Sequence, residues 1–516
     1  MLNYQEIIEE IANIEADFDV TSLKIGDTYV WPLIRRHIGN ILVQATFTNQ
    51  TKSKLFQRKY LFARSQQVTK VLLKRIRDIY YFNPKAFDHK NLGFKENQAD
   101  ILFISRPEDN TDLVNGLIYN RHIDPFIELT ERYSLNYFKL EENIGKNSQK
   151  YFYQPNFYKN TKEYSSYSLL SNFHNVANFD ELQIHLKKQI PQLHNEVLSQ
   201  HEIIYEYERI LLRKNYFLNI FKKINPKIAF LVCYYSNEVL PIVWACKELG
   251  IISVDIQHGK QGKYHQMYSH WTKFPDQGYD LLPDYFWNWG TPSKNNIAKW
   301  HPENLKNHIP IVGGNLWLAK WKHGYTQEFE NQYRSFLNDL DQKKLTQNLI
   351  LITLQTLPNP IEDFVLRVMQ ETQEENYWLI RLHPVQKDKK DQIEEAITKW
   401  NIRNYDIINS TQSPLYSLLK RINLHLTAWS STSIEALYFN KHTIIIHANG
   451  QKLYKEYIDK NQFSLALNYE SLLKQLKQLL NSKIVHKNTN IENNYIETNE
   501  YTYNKAFQYL LSQAKN

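Results

Sequence analysis

Four hydroxyl side chains follow one another at Ser430, Ser431, Thr432 and Ser433, just after the apolar run Leu424-His425-Leu426-Thr427 and before an apparent helix, Ile434-Glu435-Ala436-Leu437-Tyr438. The first turn of a helix presents unpaired N–H groups and the positive end of its dipole, so hydroxyls gathered there form a site for phosphate. Capping the helix needs one hydroxyl, and four in succession point to a bound anion. Glu435 falls in the first turn, placed to accept hydrogen bonds from ribose hydroxyls while the amides hold phosphate.

Two further groups stand where an apolar run gives way to polar residues. Tyr377-Trp378-Leu379-Ile380-Arg381-Leu382 ends in His383-Pro384, and proline keeps His383 out of the helical region, presenting its imidazole at a loop mouth beside Arg381. His301-Pro302 repeats the dipeptide after a helix, away from any strand end. Ile251-Ile252-Ser253-Val254-Asp255-Ile256 ends in Gln257-His258-Gly259, with His265 further along the loop. Glycine beside histidine permits close approach of a ligand, and a loop histidine titrates in the range needed to take a proton from a hydroxyl. His258 is the candidate base. Tyr235 and Asn237 follow an earlier strand, Gly314 and Asn315 a later one, and all are expected on the same cleft as acceptor or hinge residues.

For these groups to meet, the elements carrying them must be parallel strands. Ile101-Leu102-Phe103-Ile104-Ser105 reads as a buried strand; Lys227 to Val232, a helix from Glu238 to Leu249 and the strand at Ile251 form a β-α-β crossover. Strands at Leu349 to Leu354, Tyr377 to Leu382, Asp406 to Ile408, Leu424 to Thr427 and Thr443 to Ile446 alternate with helical intervals. The expected architecture is α/β: two Rossmann-like doubly wound lobes with an N-terminal helical segment. Residues 1–95 form that accessory segment, 96–325 an acceptor lobe, 326–480 a nucleotide-donor lobe and 481–516 a helical tail. In open α/β sheets ligands bind beyond the carboxyl ends of the strands, where these candidates fall.

At 516 residues, 42% hydrophobic and 22% charged, the chain is too long for one core and too apolar for disorder. No run of about 18 apolar residues is present and the start lacks a signal-peptide pattern, so a cytoplasmic location is expected. The net charge of +8 is concentrated, with nine Lys or Arg and no acid between Lys52 and Arg77. Val68, Leu72, Ile76 and Tyr80 lie at helical spacing there, which suits either a basic amphipathic helix on an anionic membrane surface or a helix face packed on the next domain. No motif for nucleic-acid binding accompanies the charge. Cys233 and Cys246 read as buried thiols. Phosphate-loop, dinucleotide, zinc and nucleophile-elbow signatures are absent, which excludes kinase, dehydrogenase and common hydrolase chemistry. Asp339-Leu340-Asp341 matches an acid pair used with metals but lies in a charged connecting stretch, so neither metal nor cofactor is expected.

Taken together, Gln257-His258-Gly259, His383-Pro384 and Ser430-Ser431 through Glu435 resemble the GT-B glycosyltransferases of bacterial capsule polysaccharide and lipopolysaccharide biosynthesis. The likeness spans about residues 230–450, with Trp31-Pro32-Leu33-Ile34-Arg35 a looser match, and is nearest to capsule enzymes that use CMP-activated sialic acid or Kdo. Wall teichoic acid polymerases using CDP-glycerol look similar too. The resemblance implies a nucleotide-sugar donor held by His383 and the serine segment, a glycan or lipid-linked acceptor near His258, and a peripheral place on the inner face of the membrane. It departs from the sialic acid enzymes in offering His258 where they carry an acidic base. Transfer of a polyol phosphate, 2-epimerisation of a nucleotide sugar, and a non-catalytic role in an assembly are the alternatives.

Overall fold

The computed structural model describes residues 4–48, 99–143, 150–159, 174–190, 198–481 and 495–514, apart from single positions 260, 263, 264, 325, 358, 384, 385, 387 and 388. The basic segment Lys52 to Arg77 and Pro384 lie outside the described residues.

Two helices, Tyr4–Asp17 and Trp31–Thr48, flank a short hairpin of β1 (Lys24–Ile25) and β2 (Thr28–Tyr29), where the sequence suggests helices joined by a turn. Their apolar faces share a core with the first lobe. The motif Trp31 to Arg35 supplies the anchor. Buried Arg35 pairs with Glu15, donates to the backbone oxygens of Gln266 and Ser269 at 2.8 and 2.6 Å, and lies over the Trp271 ring. The accessory helices thereby brace, from behind, the loop that follows His258.

The first lobe contains β3 (Ile101–Ser105), a small antiparallel hairpin of β4 (Asp112–Val114) and β5 (Leu117–Tyr119), then β6 (Tyr137–Asn143), β7 (Asn156–Lys159), β8 (Ile228–Val232), β9 (Ile252–Ile256), β10 (Tyr285–Asn288) and β11 (Ile309–Val312). All but the hairpin form one parallel sheet in the order β11-β10-β9-β8-β3-β6-β7. Its central strands are uniformly apolar because helices cover both faces. The second lobe has β12 (Asn348–Thr353), β13 (Asn376–Arg381), β14 (Tyr405–Asp406), β15 (Leu424–Thr427), β16 (His442–Ile445) and β17 (Phe463–Leu465), again parallel, ordered β14-β13-β12-β15-β16-β17. Counted along the chain, both sheets start 3-2-1-4-5-6, the doubly wound plan expected. The strand order reverses between β3 and β8 in one lobe and between β12 and β15 in the other, and ligands bind at such points.

Several local expectations differ from what is found. The strand expected through Ile408 stops at Asp406, whose carboxylate accepts from Ser410 N at 2.6 Å and so starts the helix Ile408–Gln412. The helix expected from Glu238 begins at Leu240, with Pro241 in its first turn. The polar stretch between the lobes is helical at Arg334–Lys343 and buries Leu337 and Leu340; Asp339 pairs there with Lys343 and Asp341 with Arg421.

The tail returns to the first lobe. Tyr495 and Ile496 pack with second-lobe side chains, Glu497 N donates to Trp289 O at 2.7 Å, and Glu497 O accepts from Asn315 N at 2.8 Å. The helix Glu500–Gln513 then sets Phe507 against Phe230 and Tyr133 in the first-lobe core. Replacing fully buried Phe507 by Ala should cost about 3–5 kcal/mol of stability. Calorimetry checks this, and an unchanged melting temperature would show that the tail helix does not hold the lobe.

Candidate active site

The carboxyl ends of both sheets open onto one cleft of about 980 Å³. The first lobe contributes Asp109, Arg121, His122 and His258; the second contributes Thr353, Gln355, Arg381, His383, Tyr416, Ser430, Ser431, Thr432 and Glu435. The lobes approach closely here: a Cβ placed on Gly259 would lie 4.0 Å from Ser431 Oγ.

On the second-lobe wall the serine segment divides its labour. Ser430 Oγ accepts from Thr432 N at 3.2 Å and donates to Thr432 Oγ1 at 3.0 Å, while Ser433 Oγ donates to Ser430 O at 2.8 Å. Ser433 is fully buried, so its expected contact with phosphate is not supported; its hydroxyl closes the turn instead. Ser431 is the residue before the helix Thr432–Tyr438, and its hydroxyl has no hydrogen-bond partner among the described residues. Arg381 donates to the backbone oxygens of Ser410 and Ser413 at 2.8 and 2.6 Å and pairs with no carboxylate among the described residues. Burial lowers its pKa to about 10, with Arg121 across the cleft acting in the same direction. Arg381 is therefore a charged guanidinium with no ion pair among the described residues, acted on across space by the carboxylates of Asp112 and Glu435, and it lines the same cavity as Ser431.

Glu435 accepts from the Tyr416 hydroxyl. Burial raises its pKa, against that hydrogen bond and the charges of Arg121 and Arg381. Burial also lowers the pKa of His383.

On the facing wall, burial lowers the pKa of His258, and the carboxylates of Asp255 and Asp109 oppose the shift. Among the described residues its buried Nδ1 has no hydrogen-bond partner; nor has Oδ2 of Asp109, which lies 3.7 Å from Arg106 Nε. His122 lies edge-on to it, ring centres 6.4 Å apart, its own pKa held well below 6.5 by burial and then by Arg121. Asp255 sits behind, fully buried, accepting from Tyr234 N at 3.0 Å and the Tyr268 hydroxyl at 2.7 Å.

The segment carrying Asp109, Arg121 and His122 runs through the β4–β5 hairpin and is fastened by buried polar groups. Glu141 accepts from Ser105 Oγ at 2.6 Å and from Asn110; Asn120 reaches Ser105 and Asn110; and Asp124 accepts from Asn120 N and pairs with fully buried Lys139 at 2.6 Å. Arg121 pairs with Asp112 at 3.5 Å and donates to Thr111 at 2.7 Å. Nothing in the sequence marks these residues as site residues, because a hairpin, not a strand end, delivers two of them.

Other expected cleft residues serve the frame. Gln257 donates to Gly259 O at 2.8 Å and accepts from Trp289 N at 2.7 Å. Tyr235 packs tilted against His265 and edge-on to Tyr268, and His265 Nδ1 accepts from Met267 N at 3.2 Å. Asn237 offers its carbonyl to Arg213. Gly314 has φ +83°, and a Cβ there would meet Glu497 O at 2.6 Å, so it lies under the crossing tail. None of these five, nor Gly259, lines the cavity. Asn315 does, but its side chain caps the helix Leu316–Lys322.

Compared by sequence, the chain matches no protein-family model and no curated protein. By structure it is similar to UDP-GlcNAc 2-epimerase from Neisseria meningitidis bound to UDP-GlcNAc, with a TM-score of 0.49, 13% identity, and 80% of this chain and 99% of that one covered. The enzyme of the same name from Methanocaldococcus jannaschii gives 0.46 and 16%, with 80% and 99% covered. Wall teichoic acid polymerase TagF gives 0.45 and 8%, with 90% and 99% covered.

The hydrogen bonds separate the hydroxyls by role. Ser430→Ala should lose about 1 kcal/mol of stability through the broken turn, whereas Ser431→Ala should stay within about 0.5 kcal/mol of the parent. Chemical denaturation measures both, and equal losses would show that Ser431 is structural.

Proposed function

We propose that the chain is a glycosyltransferase that moves a sugar from a nucleotide donor, a CMP-sugar by preference, to a glycan or lipid-linked acceptor of a surface polysaccharide. The observation that carries this reading is the meeting, in one cleft, of a histidine from one sheet end with an unpaired arginine and a hydroxyl-bearing turn from the other. His258 takes the proton of an acceptor hydroxyl, whose oxygen attacks the anomeric carbon of the donor. The bond from that carbon to the phosphate oxygen breaks, and the nucleotide phosphate leaves with the electron pair. Arg381, Ser431 and His383 stabilise the charge that grows on it, and donors fixed in advance act strongly there. Glu435 holds ribose hydroxyls. Arg381, the one guanidinium lining the donor side without an ion pair among the described residues, supports a monophosphate nucleotide, hence the CMP preference. Arginine supplies the positive charge in this scheme, so turnover should survive a chelator.

The experiment is acceptor-dependent release of nucleotide from CMP-sugars, CDP-glycerol and UDP-GlcNAc. Release of CMP only with a glycan acceptor supports the reading. Turnover of CDP-glycerol with phosphorus in the product would replace it by polyol-phosphate transfer, and conversion of UDP-GlcNAc without acceptor by epimerisation. His258→Ala should lower turnover at least about 10²-fold, and a loss under about threefold would remove it as base.

The pH profile has a defined sign. A base acts unprotonated, and burial holds the His258 pKa below 6.5, so kcat/KM should stay level as pH falls to 6.5 and drop only as pH passes through the lowered value. An acid limb above pH 6.5 would contradict the assignment.

A further inference from the structure

A buried histidine beneath the donor wall takes no part in the chemistry above. His425 on β15 is fully buried, and its two ring nitrogens meet two hydroxyls: Nε2 lies 2.8 Å from Thr353 Oγ1 and Nδ1 lies 3.0 Å from Thr443 Oγ1. Thr353 ends β12 at the point where the strand order reverses, opposite Arg381 in the strand register, and lines the cleft. Thr443 is fully buried, and among the described residues its hydroxyl has no other partner.

A neutral imidazole carries one N–H, and burial holds the His425 pKa near 3, so the ring is neutral. Two arrangements satisfy it. With hydrogen on Nδ1, the ring donates to Thr443 and accepts from Thr353, which leaves the Thr443 hydroxyl hydrogen buried with nothing to bond. With hydrogen on Nε2, Thr443 donates to Nδ1 and the ring donates to Thr353, so the spare hydrogen belongs to Thr353, on the wall of the cleft. A buried donor without an acceptor is costly, and a donor at a cleft can bond to water or ligand, so the second arrangement wins.

We propose that His425, fixed as its Nε2–H tautomer by Thr443, turns the Thr353 hydroxyl into a hydrogen-bond donor for the anionic group of the ligand in the cleft. His425 is thus a positioning residue and Thr353 a further ligand-binding one. The frame supports this placement: Thr427 Oγ1 donates to Thr353 O at 2.8 Å and accepts from Ser430 N at 3.1 Å, so the end of β12 and the serine turn are fastened to each other. The role of Thr353 rests on the reading that the second lobe holds a nucleotide phosphate; the tautomer of His425 does not.

The test has two arms on the full chain. Long-range proton–nitrogen NMR with labelled histidine, assigned by His425→Asn, reads the ring directly: a bare Nδ1 with protonated Nε2 is expected, and a protonated Nδ1 would overturn the proposal. CMP affinity, measured by titration, should fall about tenfold in Thr353→Val and stay within about threefold of the parent in Thr353→Ser, which keeps the hydroxyl. Equal CMP affinity in parent and Thr353→Val would overturn the role of Thr353 alone. Failure of the parent to bind CMP, CDP or UDP would overturn the reading of the cleft and the role of Thr353 with it, while the NMR arm still decides the tautomer.

Discussion

Two backbone hydrogen bonds hold the tail across the ends of β10 and β11, from Glu497 N to Trp289 O and from Asn315 N to Glu497 O, and the arrangement of the cleft depends on them. A doubly wound sheet offers ligands only its carboxyl edge, so two such sheets make a shared site only when those edges face each other. The tail leaves the second lobe beside Tyr457 and Tyr438 and enters the first above Gly314, where no side chain fits. A cluster including Tyr119, Trp317 and Trp321 from one lobe and Tyr416 from the other packs beneath it. Tyr416 also bonds Glu435, so this packing reaches directly into the site.

Within that frame the two walls have different electrostatics. The arginines of the first lobe are already matched, Arg121 by Asp112 and Arg106 by Glu108 and Asp109. Arg381 on the second lobe forms no ion pair among the described residues, although Asp112 and Glu435 act on it from a distance. Burial holds His122, His258 and His383 below the ordinary histidine pKa, so near neutral pH the histidines are uncharged and the fixed positive charge comes from arginine. Such a division suits an anion on the second lobe and a proton acceptor on the first.

Much of this was legible in the sequence, for physical reasons. Parallel strands buried on both faces must be apolar throughout, so β3, β8, β12 and β15 stand out, and a ligand residue directly after such a run is marked by its position. His258 and His383 are of that kind, Arg381 ends its strand, and Ser431 and Glu435 come at the start of the helix that follows β15. Position alone does not tell which way a side chain is used: Gln257 and Ser433 follow strands too, but backbone groups consume their hydrogen bonds. Arg121 and His122 stay hidden because a hairpin carries them in, and Asp109 because its loop is shaped by Glu141 and Asn120 from elsewhere in the lobe. Thr353 obeys the strand-end rule, but becomes distinctive only once the sheet topology shows that the strand order reverses beside it. The basic segment Lys52 to Arg77 lies outside the described residues, and no described helix is long and apolar enough to cross a membrane.

In the proposed mechanism donor binding and proton removal fall to opposite walls of one cleft. Calorimetric titration of CMP into the parent, His258→Ala and Arg381→Gln tests it most directly. Binding to the parent is expected, with affinity within about threefold of it for His258→Ala and a loss of at least about tenfold for Arg381→Gln, where a charge-assisted contact is removed. A parent that binds no CMP, or a His258→Ala variant that loses as much affinity as Arg381→Gln, would contradict it.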